Sequence, residues 1–406
     1  MSSYIPSAME YQSVTEGTRK VQNGRIIRVM KTTLRRCPGR SAAVLLTLSV
    51  CLAGQQVRAQ SDLRPPQFEA DPAWPSLPDG WVLGEVTSVS VDRQDNIWVL
   101  HVPQSIPEGQ RANAAPPVLQ FDVAGNLLRS WGGPDSGTEW VGREHGIFVD
   151  AEDFVWIGGR AGWPRANPPG NSDDMIMKYT MDGELVLQIG RRGEGTGNLD
   201  TQNVHQATDV FVDTEANEVY VADGYGNNRV IVFDAETGSF RRMWGAFGNP
   251  PPSTSEPNVP VPQPQETPEG PDEFGLPHAI KVSSDGIVYV ADRINNRIQM
   301  FTRDGEFLEQ VRLTNDGSDV VPVPAGFAFS PDPEQRLLYV VDSGPMRIVI
   351  FDRQTMTQVG AVGTRGTQDG EFDIVHHMAV DSSGNLYTAE IVNNRRAQKF
   401  VRLQSP

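Results

Sequence analysis

The chain has 406 residues, with 35 lysines and arginines against 51 aspartates and glutamates, a formal net charge of −16. Setting aside the nine basic and two acidic residues of the first 59 leaves 26 basic and 49 acidic residues, a charge of −23. So acidic a chain argues against nucleic acid and anionic membranes as partners, and an anionic substrate would need a local arginine or a metal.

The N-terminal region reads as an export signal. Lys31, Arg35, Arg36 and Arg40 follow Met30 and precede an apolar run from Ser41 to Ala53, too short to span a bilayer comfortably. Val57-Arg58-Ala59 then has the small-x-small form of a cleavage site. Residues 1–59 are therefore expected to be an N-terminal extension plus a secretory signal, with Met30 as the natural start and cleavage near Ala59. Both cysteines, Cys37 and Cys51, fall in this region, so no disulfide is expected in the mature chain. The expected location is the bacterial periplasm or the exterior.

After a lead-in over 60–85 the sequence is repetitive. First strands are expected at "SVSVD" from Ser88, "GIFVD" from Gly146, "DVFVD" from Asp209, "AIKVS" from Ala279, "GFAFS" from Gly326 and "HMAVD" from His377. Each has a partner, in the same order: "IWVLH" from Ile97, "VWIGG" from Val155, "VYVAD" from Val219, "VYVAD" from Val288, "LYVVD" from Leu338 and "LYTAE" from Leu386. A third strand follows, as in "NNRVIVF" ending at Phe233, and a fourth shows in most repeats, as in "LLRSWG". Short β-branched and aromatic runs between Asp, Gly and Asn turns are strand signals. Four strands repeated six times predict an all-β, six-bladed β-propeller over 86–403, with four-stranded antiparallel blades. A Pro-rich, acidic stretch over 248–275 joins the third unit to the fourth and is expected to be an extended loop.

One residue before each first strand the repeat places Thr87, His145, Thr208, His278, Ala325 and His376. The first strand of a propeller blade lines the central channel, and six blades are spaced by about 60°. Histidines in alternate blades therefore converge on the axis about 120° apart, as a three-nitrogen site with an open face suited to zinc. His377, one residue further along the strand, is expected to point elsewhere. Residues after the second strands, His101, Arg160, Tyr225, Arg293, Ser343 and Glu390, are expected around the same funnel. Each of these residues alone reads more simply as a polar channel residue or an ion-pair partner; the alternation of the histidines is what points to a metal.

"VADGYGNNRVIVF" and "LPHAIKVSSDGIVYVADRINNRIQMF" resemble NHL-repeat propellers, and among these the peptidyl-α-hydroxyglycine α-amidating lyase domain, over Val86 to Phe400. The resemblance implies a zinc held by His145, His278 and His376, with Tyr225 as catalytic base. It implies release of a peptide amide and glyoxylate from a peptidyl-α-hydroxyglycine. Five positions depart from the pattern. Val102 stands where the family has a carboxylate-binding arginine, a role Arg160 could take over, and an arginine restored at 102 is expected to strengthen activity. Ile374 replaces a methionine. His377 replaces an aspartate that helps hold a structural calcium. His205 and Gly226 stand where the family has a cysteine pair. The substrate is thus expected to be a peptide or small molecule. The competing readings are an NHL scaffold without chemistry and a metal-dependent propeller hydrolase such as a lactonase or esterase.

Overall fold

In a computed structural model, residues 15–22, 25–32 and 63–404 are described, apart from 138, 162–169, 254–268, 315–316 and 318. The chain falls into two compact units, Met1–Ala59 and Gln60–Pro406. In the first, strand Thr15–Gln22 pairs antiparallel with Arg25–Thr32, Gly17 opposite Met30. Most of the expected export signal and most of the Pro-rich stretch lie outside the described residues.

The second unit contains six four-stranded antiparallel sheets. These are the blades of a six-bladed β-propeller. Their innermost strands are Glu85–Val91, Glu144–Val149, Asp209–Asp213, Pro277–Val282, Pro324–Phe329 and Val375–Val380. In blades one to five the strands follow in chain order from the inside outwards. Blade six differs. Its outermost strand is Phe68–Ala70, which pairs with Ala397–Arg402 and sets Ala70 opposite Phe400 and Phe68 opposite Arg402. The segment expected to be a lead-in therefore completes a blade and ties the two ends of this unit together. Its three residues have no periodicity of their own, so the repeat could not show it.

The aromatic register of the repeat explains the packing. Trp98, Trp156, Tyr220, Tyr289, Tyr339 and Tyr387 occupy the same position of the second strand in blades one to six, and none is more than 1% exposed. They contribute to apolar clusters that bridge consecutive blades, the last of which joins blade six (Tyr387, Ala389) to blade one (Val86, Val99). Buried indoles and phenols need a partner for their polar atom, and the Asp that ends the first strand supplies several. Trp98 Nε1 donates to Asp92 Oδ2 at 2.9 Å, Trp156 Nε1 to Asp150 Oδ2 at 2.7 Å and Tyr387 Oη to Asp381 Oδ2 at 2.9 Å. Asp92 also accepts the amides of Gln94 and Asn96, shaping the hairpin turn. Trp156→Ala is expected to cost about 3–5 kcal/mol, by emptying an inter-blade cavity and leaving Asp150 short of a donor. Denaturant midpoints of the two proteins measure this, and a loss near zero would show that the blades are not held by these rings.

The "VAD…NNR" motif is structural as well. Asp223 accepts from Arg229 Nε at 2.9 Å and Asp292 from Arg297 Nε at 2.8 Å, all four side chains fully enclosed. Asp342–Arg347 and Glu390–Arg396 repeat the pair in blades five and six. Glu390, expected at the funnel, is thus part of this framework. His101 takes the equivalent place in blade one. Its Nδ1 accepts the Gly84 amide at 3.1 Å and its Nε2 donates to the Pro116 carbonyl at 3.0 Å. Burial lowers its pKa to about 4, so it is a neutral tie between backbone segments and no funnel residue. The repeat register accounts for both corrections, since these residues lie one step before the position that Arg160 and Arg293 occupy.

Candidate metal centre

The side chains lining the axis are set by a break in the first hairpin of five of the six blades, blade three being the exception. The pairing register shifts between Val86 and Ser88, Glu144 and Gly146, Pro277 and Ala279, Pro324 and Gly326, and Val375 and His377. The residues skipped are Thr87, His145, His278, Ala325 and His376, which are slot positions. A β-bulge of this kind re-aims a side chain and is common next to functional sites.

His145, His278 and His376 converge there, each offering a ring nitrogen, with the three atoms within 4.8 Å of one another. His145 and His278 are fully buried and His376 is 4% exposed. Their outer nitrogens all meet backbone carbonyls: His145 Nδ1 lies 2.7 Å from Thr208 O, His278 Nδ1 2.7 Å from Ala325 O, and His376 Nδ1 2.6 Å from Thr87 O. Each carbonyl belongs to the slot residue of the next blade, so the six slots alternate imidazole and acceptor around the ring. A carbonyl can only accept, so each Nδ1 carries the proton and each Nε2 turns a lone pair to the axis. Burial is the largest cause holding all three pKa values well below the usual histidine value, with neighbouring histidines and arginines adding to it. Three neutral, pre-oriented nitrogen donors in a closed ring fit a tetrahedral zinc with its fourth position open.

Tyr225 closes the mouth of this ring. Its Oη lies 3.1 Å from His145 Nε2 and 3.5 Å from His278 Nε2. The ring packs on Leu276 and Ile294, leaving 6% of the residue exposed. The loop can come this close because Gly226 has no side chain: a Cβ there would stand 1.5 Å from the His205 ring. His205 Nδ1 lies 2.8 Å from Asp174 Oδ1. Burial lowers the His205 pKa, but the Asp174 carboxylate outweighs it and raises it overall.

Two arginines flank the ring, as the sequence indicates. Arg160 places its guanidinium carbon 5.4 Å from the centre of the Tyr225 ring, and its charge reaches His145 and His376. Arg293 acts on His278 and His376 from blade four. Two further groups beside His145 escaped the sequence reading. Arg143 forms a salt bridge with Glu85 across blades one and two. Glu144 accepts from Trp140 Nε1 at 2.7 Å, and burial raises its carboxyl pKa to about 7. The run Arg-Glu-His at 143–145 was the only signal for them. Val102, by contrast, is fully buried and its carbonyl accepts from Ser105 Oγ at 2.7 Å. An arginine restored at 102 would occupy an enclosed position, as Arg229 and Arg297 do in blades three and four.

His377 does not turn away from the axis. Its ring stacks on His376 at 4.8 Å and 12°, and its centre lies 5.9 Å from His145 and 5.5 Å from His278. The bulge at His376 cancels the alternation of the strand, and small residues at the equivalent positions of other blades (Gly146, Ala279 and Gly326) leave room for the ring. His377 Nδ1 lies 3.1 Å from Ser88 Oγ while Nε2 has no partner. The three-residue donor set still excludes it. His376→Ala is therefore expected to lose most bound metal and His377→Ala to retain it, as read by metal content after dialysis; equal loss in both would make His377 a ligand.

The fold defines the chain as a six-bladed β-propeller, and the NHL repeat family model matches residues 274–301. Among named relatives, it is similar to human NHL repeat-containing protein 3, at 27% identity over 350 residues, covering 83% of this chain and 85% of that protein. It is also similar to peptidyl-glycine alpha-amidating monooxygenase B of Xenopus laevis, at 25% identity over 80% of this chain and 34% of that protein. A third relative is peptidyl-alpha-hydroxyglycine alpha-amidating lyase 1 of Drosophila melanogaster, at 24% identity over 81% of this chain and 59% of that protein.

Proposed function

We propose that the protein is a zinc-dependent carbon–nitrogen lyase that converts a peptidyl-α-hydroxyglycine, or a close analogue, to an amide and glyoxylate. The observation that carries this reading is the placement of Tyr225 Oη within 3.1 and 3.5 Å of two of the three convergent imidazole nitrogens. A scaffold has no need for three buried lone pairs facing one another beneath a phenol. The likeness to named amidating lyases supports the same reading.

His145, His278 and His376 would hold the zinc, which when bound supplies a Lewis acid for the substrate's oxygens. Tyr225 takes the proton of the α-hydroxyl. The C–O bond gains double-bond character as the C–N bond breaks, and Tyr225 returns the proton to the departing amide nitrogen, so that the phenolate that began the step is restored. Arg160 and Arg293 meet the substrate carboxylate and keep it at the funnel, where two fixed guanidiniums offer charge-assisted contacts. The buried setting keeps water from the reacting atoms.

A calcium-dependent hydrolase would need a ring of oxygen donors, which the slot residues do not provide. The test is glyoxylate release from a synthetic peptidyl-α-hydroxyglycine, with and without a zinc chelator. Chelator-sensitive release supports the lyase. No release from zinc-loaded protein removes it and leaves a metal-bearing propeller of other chemistry.

A further inference from the structure

Below the three-histidine ring the channel continues in two more layers. The next inward positions are Ser88, Gly146, Asp209, Ala279, Gly326 and His377, and below them Ser90, Phe148, Phe211, Lys281, Ala328 and Ala379. Ser90, Phe148, Lys281, Ala328 and Ala379, from five different blades, line one cavity at that end of the channel.

The resemblance to the amidating lyases places a calcium against the residue after the third ligand histidine. The groups found here do not fit that ion. Calcium takes six to eight oxygens and needs carboxylates among them to balance its charge, whereas the side chains of the layer are one nitrogen ring, three without a polar group, one hydroxyl and the Asp209 carboxylate. The hydroxyl of Ser88 is engaged by His377. Both oxygens of Asp209 are also engaged: Oδ1 accepts the Val210 amide at 2.9 Å, and Oδ2 accepts the Ile280 amide at 3.0 Å and the Lys281 ammonium at 3.3 Å. The ammonium lies 5.3 Å from the centre of the Phe148 ring and 6.0 Å from that of Phe211, within the range in which an aromatic face attracts a cation.

We propose that Lys281 is a built-in cation that replaces a structural metal ion on the channel axis: its ammonium neutralises buried Asp209, bridges blades three and four and rests on rings from blades two and three. The floor beneath the zinc centre is then held by side chains alone, with His377 filling the remaining space. Burial drives the Asp209 carboxyl pKa up and the lysine draws it back, as expected of a carboxylate whose ionised form depends on that one cation.

Thermal unfolding of the full chain tests this independently of zinc or activity. Wild-type protein should unfold at the same temperature in millimolar calcium chloride and in a calcium-selective chelator. Lys281→Met strands a buried carboxylate and should lower the midpoint by about 5 °C or more. Lys281→Met with Asp209→Asn should recover much of that loss, because neither charge remains. Lys281→Met with His377→Asp should become stabilised by calcium, because it replaces the internal cation with a second carboxylate. A wild-type midpoint raised by calcium, or a Lys281→Met protein as stable as wild type, overturns the proposal. If Lys281→Met alone fails to fold, the wild-type calcium comparison and the charge-free double variant still decide it.

Discussion

Tyr225→Phe protein is expected to keep its fold and its metal and to lose glyoxylate release by a factor of about 10²–10⁴, the usual contribution of a positioned acid–base group. The substitution removes one oxygen. The ring keeps its contacts with Leu276 and Ile294 and its edge-on approach to His145, 5.0 Å between ring centres. What goes is the hydroxyl 3.1 Å from His145 Nε2, which is the group placed to receive the substrate's proton. Activity should fall in kcat with little change in KM, because Arg160 and Arg293 still hold the carboxylate. Unchanged turnover would show that the phenol only caps the ring of histidines, and the base would have to be sought elsewhere.

The second large effect is on metal content. His145→Ala with His278→Ala removes two of three donors and leaves one imidazole, which cannot compete with water for zinc. Dialysed protein should fall from about one ion per chain to less than about a tenth of that. The carbonyls of Thr208 and Ala325 also lose their donors, at about 1–3 kcal/mol each, so unfolding should be measured on the same sample. Far-ultraviolet circular dichroism matching wild type, with the metal gone, assigns the loss to ligands and not to collapse of the propeller. Retention of a full equivalent of metal would place the site elsewhere in the chain.

The architecture was legible because six copies of one unit repeat the same aromatic, turn and β-branched positions, and each copy reinforces the register of the others. That register also aligned the three histidines. Where the reading failed, the cause lay in backbone hydrogen bonding, which residue identity does not report. The shift between Val375 and His377 is a change in pairing, and it turns His377 into the channel although strand alternation points it away. The acceptors that fix the histidine tautomers are the carbonyls of Thr87, Thr208 and Ala325, and a carbonyl is present in every residue, so nothing in the sequence marks these three. His101 and Glu390 were set at the funnel by an offset of one residue, which only the buried pairs they form exposes. Phe68–Ala70 is too short to carry a period, and its place in blade six follows from closing the ring.

The most direct test of the central claim is X-ray absorption at the zinc edge on purified, metal-replete protein. Three imidazole nitrogens at about 2.0–2.1 Å, with one further light atom in the open position, are expected. The His377→Ala spectrum should be unchanged and the His376→Ala signal lost. An all-oxygen first shell, or protein that binds no stoichiometric zinc at all, would contradict the assignment of His145, His278 and His376 as a metal centre.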